Sequence, residues 1–310
     1  MGLTNEKSIM HSPTFVIPPD QELLFAKRAQ RFAHLADNTS DKERLLFWTH
    51  FCHAQHQSTE QFKDFAIPLS RFSTSSTPPF DRLKLLSLGL YDSIIADFLK
   101  RLLTLPLPSQ AFSATKQEAL VRTKQQKDQW RLWGQNLLNH TLPPQQLAEH
   151  LFIMGALQIL YSLTASQLDP QSLTRQQNNL CPACGGTHSA NLIMDVKPSE
   201  PLKFCSCLYC GTLWSIPRNQ CSFCETTQNI SLHPVENMPN GIFPNDIFPN
   251  SIFFETCKIC RSYCKQLNKH ENPRLDVFAD DIAMPTLHVL HKGSFHFAYK
   301  NFNPALAENA

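Results

Sequence analysis

Four C-x-x-C pairs fall within 80 residues: Cys181/Cys184, Cys207/Cys210, Cys221/Cys224 and Cys257/Cys260. Two residues between cysteines let a tight turn aim both sulfurs at one point. Two such turns joined by a hairpin complete a tetrahedral four-thiolate metal site. Ten of the eleven cysteines lie between Cys181 and Cys264, and only Cys52 precedes them. The opening MGLTNEKSIMHSPTFVIPPD has no apolar signal-peptide region, which points to a reducing, cytoplasmic setting. There, clustered cysteines mean metal or redox chemistry more often than structural disulfides.

Sequential pairing is the simplest arrangement. Cys181, Cys184, Cys207 and Cys210 form one site, and Cys221, Cys224, Cys257 and Cys260 a second, giving two metal ions per chain; interleaved pairing stays open. Tetrahedral sulfur suits zinc or iron equally. A closed four-thiolate site has no open position at which to activate water. Cys52, Cys205 and Cys264 read as buried thiols. Cys205 shares a strand face with Cys207.

The half before the cysteines reads as helix. Pro18-Pro19-Asp20 opens a run with Leu23, Leu24, Ala26, Ala29, Phe32 and Leu35 at helical spacing. Further helices are expected over 43–57, 81–103 and 115–139, with a Ser/Thr/Pro loop at 65–79. Pro143-Pro144 opens a last helix carrying LFIMGALQILYSLTA, 151–165. That stretch is too short for a membrane span, which needs about 18 apolar residues, and Gln158 interrupts it, so a buried core helix is expected and no membrane insertion. Five or six helices and no strand are predicted, with a core of their own that needs no metal. Beyond it, NLIMDV (191–196), LKFCSC (202–207), TLWSIP (212–217) and ISLHPV (230–235) read as short strands. PRLDVFADDIAMPTLHVLHK reads as a strand and a short helix, and the tract with IFPN at 242–245 and again at 247–250 as a loop insertion. The fold class is α+β and multidomain: a helical domain over 1–176, then metal ribbons over 177–218 and 219–310.

From 181 onwards ten Lys and Arg face eleven Asp and Glu. That balance argues against nucleic acid as a partner, the common role of zinc ribbons, because a phosphate-binding surface needs a basic patch. A rubredoxin-like electron carrier or thiol oxidoreductase is a further alternative. Asp280 and Asp281 read as a cap on the short helix that follows them, or as a partner contact.

These residues resemble the FdhE family, the formate dehydrogenase accessory proteins. The resemblance rests on CPACGG, on CLYCGTLWSIPRNQCSFC with Trp214 and Arg218, on CKICRSYCK and on VFADDIA. AKRAQRFAHLAD, the Cys52-His53-Ala54-Gln55 neighbourhood and the tail NFNPALAE add to it. His188 and His288 depart from the family pattern, and the IFPN loop is longer than usual. The resemblance implies rubredoxin-like sites holding iron or zinc. It implies a cytoplasmic protein that is not itself an enzyme. Such a protein binds the catalytic (alpha) subunit of a molybdenum formate dehydrogenase and helps bring it to the active state. A homodimer is left open.

Overall fold

The computed structural model describes residues 15–37, 39, 41–72, 78–105, 114–196, 200–235, 250–284 and 298–299. The tract 242–249, His288 and the tail 301–308 lie outside the described residues.

The fold class is the expected one, a helical half followed by a sheet that carries the cysteine turns. The helices are α1 (Leu24–Asp37), α2 (Lys42–Phe62), α3 (Leu69–Phe72), α4 (Arg82–Leu85), α5 (Gly89–Thr104), α6 (Ala114–Gln125), α7 (Trp130–Asn139) and α8 (Leu147–Ser166). Asp20 Oδ1 accepts from the backbone of Glu22 and Leu23 and opens the turn into α1. Two stretches that read as single helices are broken. Between α4 and α5, Ser87 turns its hydroxyl onto the Lys84 carbonyl and Leu88 is extended. Between α6 and α7, the Trp130 indole N–H donates to the Thr123 carbonyl, so a side chain takes up a carbonyl near the end of α6. Neither break disturbs the apolar spacing, which is why periodicity alone ran through them.

The apolar helix expected at the core is α8. Every residue from Glu149 to Ala165 is buried, and α2, α5, α6 and α7 pack around it. It is long and apolar enough to cross a membrane, but 89% of its most apolar window is buried inside the protein. Gln158, the polar interruption, accepts from Gln55 Nε2 at 2.9 Å and donates to the Leu208 carbonyl at 2.8 Å. A buried amide satisfied at both ends is a joint between elements rather than a flaw in the core.

The sheet contains β1 (Val16–Ile17), β2 (His188–Met194), β3 (Leu202–Cys207), β4 (Leu213–Ile216), β5 (Ile230–Pro234), β6 (Ile252–Cys257), β7 (Ser262–Asn268) and β8 (Ala298–Tyr299). The spatial order is β1-β4-β3-β2-β7-β6-β5, with β8 on β7. β2, β3 and β4 form one antiparallel ribbon, and β5, β6 and β7 form another. A parallel pairing of β2 with β7 (Asn191↔Gln266, Leu192↔Leu267, Ile193↔Asn268) joins the two into one sheet. β1, which the sequence did not reveal because two residues carry no period, covers the free edge of β4.

Residues 272–275 form a turn, not the expected strand, and lead into α9 (Val277–Ala283). α9 packs against α1 and β2, with the Phe278 ring against Phe32 and Trp48. The helical half has no separate core. One apolar cluster runs from Phe25 and Leu35 through α8 to Leu208, Tyr209, Trp214 and Phe278. A second, smaller cluster (Ala190, Phe204, Ile252, Phe254, Leu267) draws on both ribbons.

Candidate metal centres

The four C-x-x-C turns share one backbone plan. The first cysteine N–H of three of them donates back across the turn: Cys181 to the Gly186 carbonyl, Cys207 to Thr212 and Cys221 to Thr226. The residue after each pair is left-handed: Gly185 (φ 69°), Gly211 (φ 76°), Glu225 (φ 62°) and Arg261 (φ 53°). Turn amides then face sulfur, as in Gly186 N to Cys184 Sγ at 3.4 Å and Cys210 N to Cys207 Sγ at 3.5 Å.

The pairing is sequential. The sulfurs of Cys181, Cys184, Cys207 and Cys210 lie within 4.8 Å of one another, and so do those of Cys221, Cys224, Cys257 and Cys260. The edges are 3.6 Å for Cys181–Cys210, 3.4 Å for Cys184–Cys207, 3.8 Å for Cys221–Cys260 and 3.7 Å for Cys224–Cys257. A metal about 2.3 Å from four tetrahedral sulfurs needs sulfur–sulfur edges of about 3.8 Å. Both clusters therefore fit a zinc or ferrous ion, and at these separations none is a disulfide. The donor set is closed in both.

The environments differ. In the first cluster every cysteine is at most 1% exposed, wedged between sheet and helices. The Tyr209 hydroxyl donates to the Leu137 carbonyl, and the Arg82 guanidinium stacks 5.3 Å from the Tyr209 ring. A Cβ on Gly185 would meet Pro78 at 2.9 Å, and one on Gly211 would meet Leu24 at 2.8 Å. In the second cluster Cys224 is exposed, Cys260 is half-buried and Ile259 between the last pair is 57% exposed. With solvent on that side, Glu225 and Arg261 occupy the left-handed positions without a clash.

A buried polar seam, missed in the sequence, ties the clusters together. Lys203 on β3 is fully buried, pairs with Glu255 on β6 and donates to the Gln220 carbonyl at 2.8 Å. Asn191 reaches Ser222, the residue after Cys221, and Ser222 also meets His188 Nε2 at 3.0 Å. Burial and the Lys203 charge push His188 down to about 3. The signal was available: Lys203 shares the period-two face of Cys205 and Cys207, so it had to be buried and paired. Cys52, Cys205 and Cys264 are buried as expected, and burial pushes all three thiols up.

Asp280 and Asp281 are not exposed contacts and do not precede the helix as its N-cap, but Asp280 shares in the cap, its Oδ2 accepting from the Asp276 backbone N–H at 2.8 Å. Asp276, one turn earlier, caps α9 by accepting from Phe278 and Ala279. Asp280 and Asp281 lie inside the helix and are at most 1% exposed. Asp280 takes Arg31 from α1 in a two-pronged pair (Nε–Oδ2 3.0 Å, Nη2–Oδ1 2.6 Å). Burial pushes its carboxyl up to about 6 against the pull of Arg31. Asp281 pairs with Lys265 of β7 at 2.9 Å. The two aspartates thus bolt α9 to the helical half on one side and to the second ribbon on the other.

Known proteins resemble this chain along its length. The family models described as "FdhE, N-terminal", "FdhE, central domain" and "FdhE, C-terminal domain" match residues 13–178, 180–218 and 219–306. A "Protein FdhE homolog" of Rhizobium meliloti (strain 1021) is 29% identical, covering 94% of this chain and 92% of its own. One of Stutzerimonas stutzeri (strain A1501) is 26% identical over 90% and 88%. The crystal structure of the FdhE protein from Pseudomonas aeruginosa superposes with a TM-score of 0.68 at 23% identity, covering 96% of this chain and all of that one. With family matches running through helices, first ribbon and second ribbon alike, the chain belongs to the FdhE family.

Proposed function

We propose that this chain is an accessory protein of formate dehydrogenase. It binds the catalytic subunit of that molybdenum enzyme in the cytoplasm and assists its assembly or activation. It does not itself oxidise formate. One observation carries the reading: both four-cysteine clusters are closed sets of thiolates. Such a centre has no position for substrate or water, so its use is to hold shape. The shape held is one sheet clamped to a helical half, a rigid surface for another protein. Cys181, Cys184, Cys207 and Cys210 hold one zinc or iron ion, and Cys221, Cys224, Cys257 and Cys260 hold the other.

The test is genetic and biochemical together. In cells lacking this protein, formate dehydrogenase activity should be lost while the catalytic subunit is still made. The variant Cys207→Ser/Cys210→Ser should fail to restore it, because half a four-thiolate site holds metal poorly. Normal activity in the deletion strain would remove the support for this reading. The exposure of Cys224 favours a second reading, electron transfer through the outer site. That reading requires iron there and a reversible visible absorbance change on reduction.

A further inference from the structure

Between α1 and the segment joining β7 to α9 lies a cavity of about 560 Å³. Its wall carries Lys27 and His34 from α1, and Lys269 and Arg274 from the joining segment, with Arg31 behind them. Asp276 is the single carboxylate lining it. That group is engaged, since it caps α9 and lies 3.9 Å from Arg28. Asp280 just behind is held by Arg31. Among the described residues, no carboxylate lies within ion-pair distance of Lys27, Lys269 or Arg274. In a chain of net charge +2, Lys27, Lys269 and Arg274 are a local excess of cations with no carboxylate paired to them.

The cavity continues into a second of about 150 Å³, with which it shares Lys27, Lys269, Leu275 and Asp276. The character changes along the way. The smaller end is lined mainly by apolar residues, Pro18, Pro19, Leu23, Leu213 and Val277, together with Arg28, Ser206 and Asp20, whose carboxylate is engaged by the Glu22 and Leu23 backbone N–H groups, and Leu23 is 43% exposed. A cationic trough running into an apolar one selects a ligand with an anionic part beside an apolar part. An inorganic oxyanion would leave the apolar half unused. An extended stretch of polypeptide, with alternate side chains entering neighbouring pockets, fills both halves.

We propose that this trough is the docking site for an extended segment of the client protein in which apolar and acidic residues adjoin. The client is the one argued for above, so the proposal rests on that reading. The cap residue Asp276 and the first residue of α9, Val277, line the trough, which places the start of α9 next to the client.

The experiment uses full-length protein in two binding assays. Fluorescein-labelled overlapping peptides covering the formate dehydrogenase catalytic subunit are titrated first, and the intact subunit second. Each is measured against wild type, Lys27→Glu/Lys269→Glu, Arg274→Glu and the control Lys100→Glu on α5. The peptides that bind wild type should carry adjoining apolar and acidic residues. Their affinity and that of the intact subunit should fall roughly tenfold for Arg274→Glu and further for the double variant, with thermal stability and the control unchanged. Binding of neutral or basic peptides instead, or equal binding by the trough variants, would overturn the docking site. Displacement of bound peptide by micromolar inorganic phosphate would also overturn it, by showing a small-oxyanion site. If the intact subunit binds wild type and trough variants equally, the docking site is wrong and the accessory reading stands. If it does not bind wild type at all, both are wrong.

Discussion

Four left-handed residues, one after each C-x-x-C pair, show how the same backbone is solved twice. Gly185 and Gly211 have no room for a side chain, because Pro78 and Leu24 stand where a Cβ would go. Glu225 and Arg261 face solvent and accept the strain, which for an L-residue is about 1 kcal/mol. Arg261→Gly should therefore raise unfolding free energy by about 1 kcal/mol, whereas Gly185→Ala should lower it by about 2 kcal/mol through strain and clash together. Denaturant melts of the metal-loaded protein read both. The glycines of the first ribbon were legible in the sequence as C-x-x-C-G. The equivalent positions of the second ribbon were not, since solvent lets any residue stand there. Lys203 is the other residue-scale feature. Removing one member of a buried ion pair leaves an uncompensated charge and costs about 3–5 kcal/mol. Lys203→Met should show that loss, and Lys203→Met/Glu255→Gln should recover most of it. Equal destabilisation by the single and double variants would mean that Lys203 acts through packing alone.

At the scale of elements, strands β2 to β5 and the long helices were legible from their own apolar runs or spacing, α8 and β2 as runs buried almost throughout. What escaped was set by tertiary partners. β1 exists because the edge of β4 is there to pair with. β6 begins inside a tract that reads as loop, and β7 follows a cysteine turn. The breaks at Ser87 and Trp130 need side-chain hydrogen bonds that no spacing encodes. α8 also sets a pH dependence. His150 is buried, with Nδ1 2.6 Å from the Gln146 carbonyl and Nε2 3.3 Å from Asn136 Nδ2. Nδ1–H therefore donates and Nε2 accepts. Burial pushes its pKa below the usual histidine value, with the Gln146 carbonyl and Glu149 pulling the other way. The unfolded chain takes up a proton near pH 6.5 and the folded chain does so only lower down. Stability conferred by neutral His150 is thus present above about pH 6.5 and lost as pH falls. Denaturant midpoints at pH 7.5 and pH 5.5 should differ less in His150→Gln than in wild type. An unchanged difference would place the acid sensitivity elsewhere.

For the whole molecule, the sequence showed two metal ribbons behind a helical half but not how they are assembled. The β2–β7 pairing, the Lys203–Glu255 seam and the two aspartates of α9 make one body of them. The first cluster is inside that body and the second at its surface, so a chelator should strip one metal quickly and the other slowly. Simultaneous release of both would contradict the difference in burial. The most direct measurement of the central claim, two closed four-thiolate centres, is metal content and thiol reactivity of native protein purified without oxygen. Two zinc or iron ions per chain are expected, with the eight paired cysteines protected from thiol reagent until the metal is removed. Fewer than one bound metal per chain, with those eight thiols freely titratable, would contradict the claim.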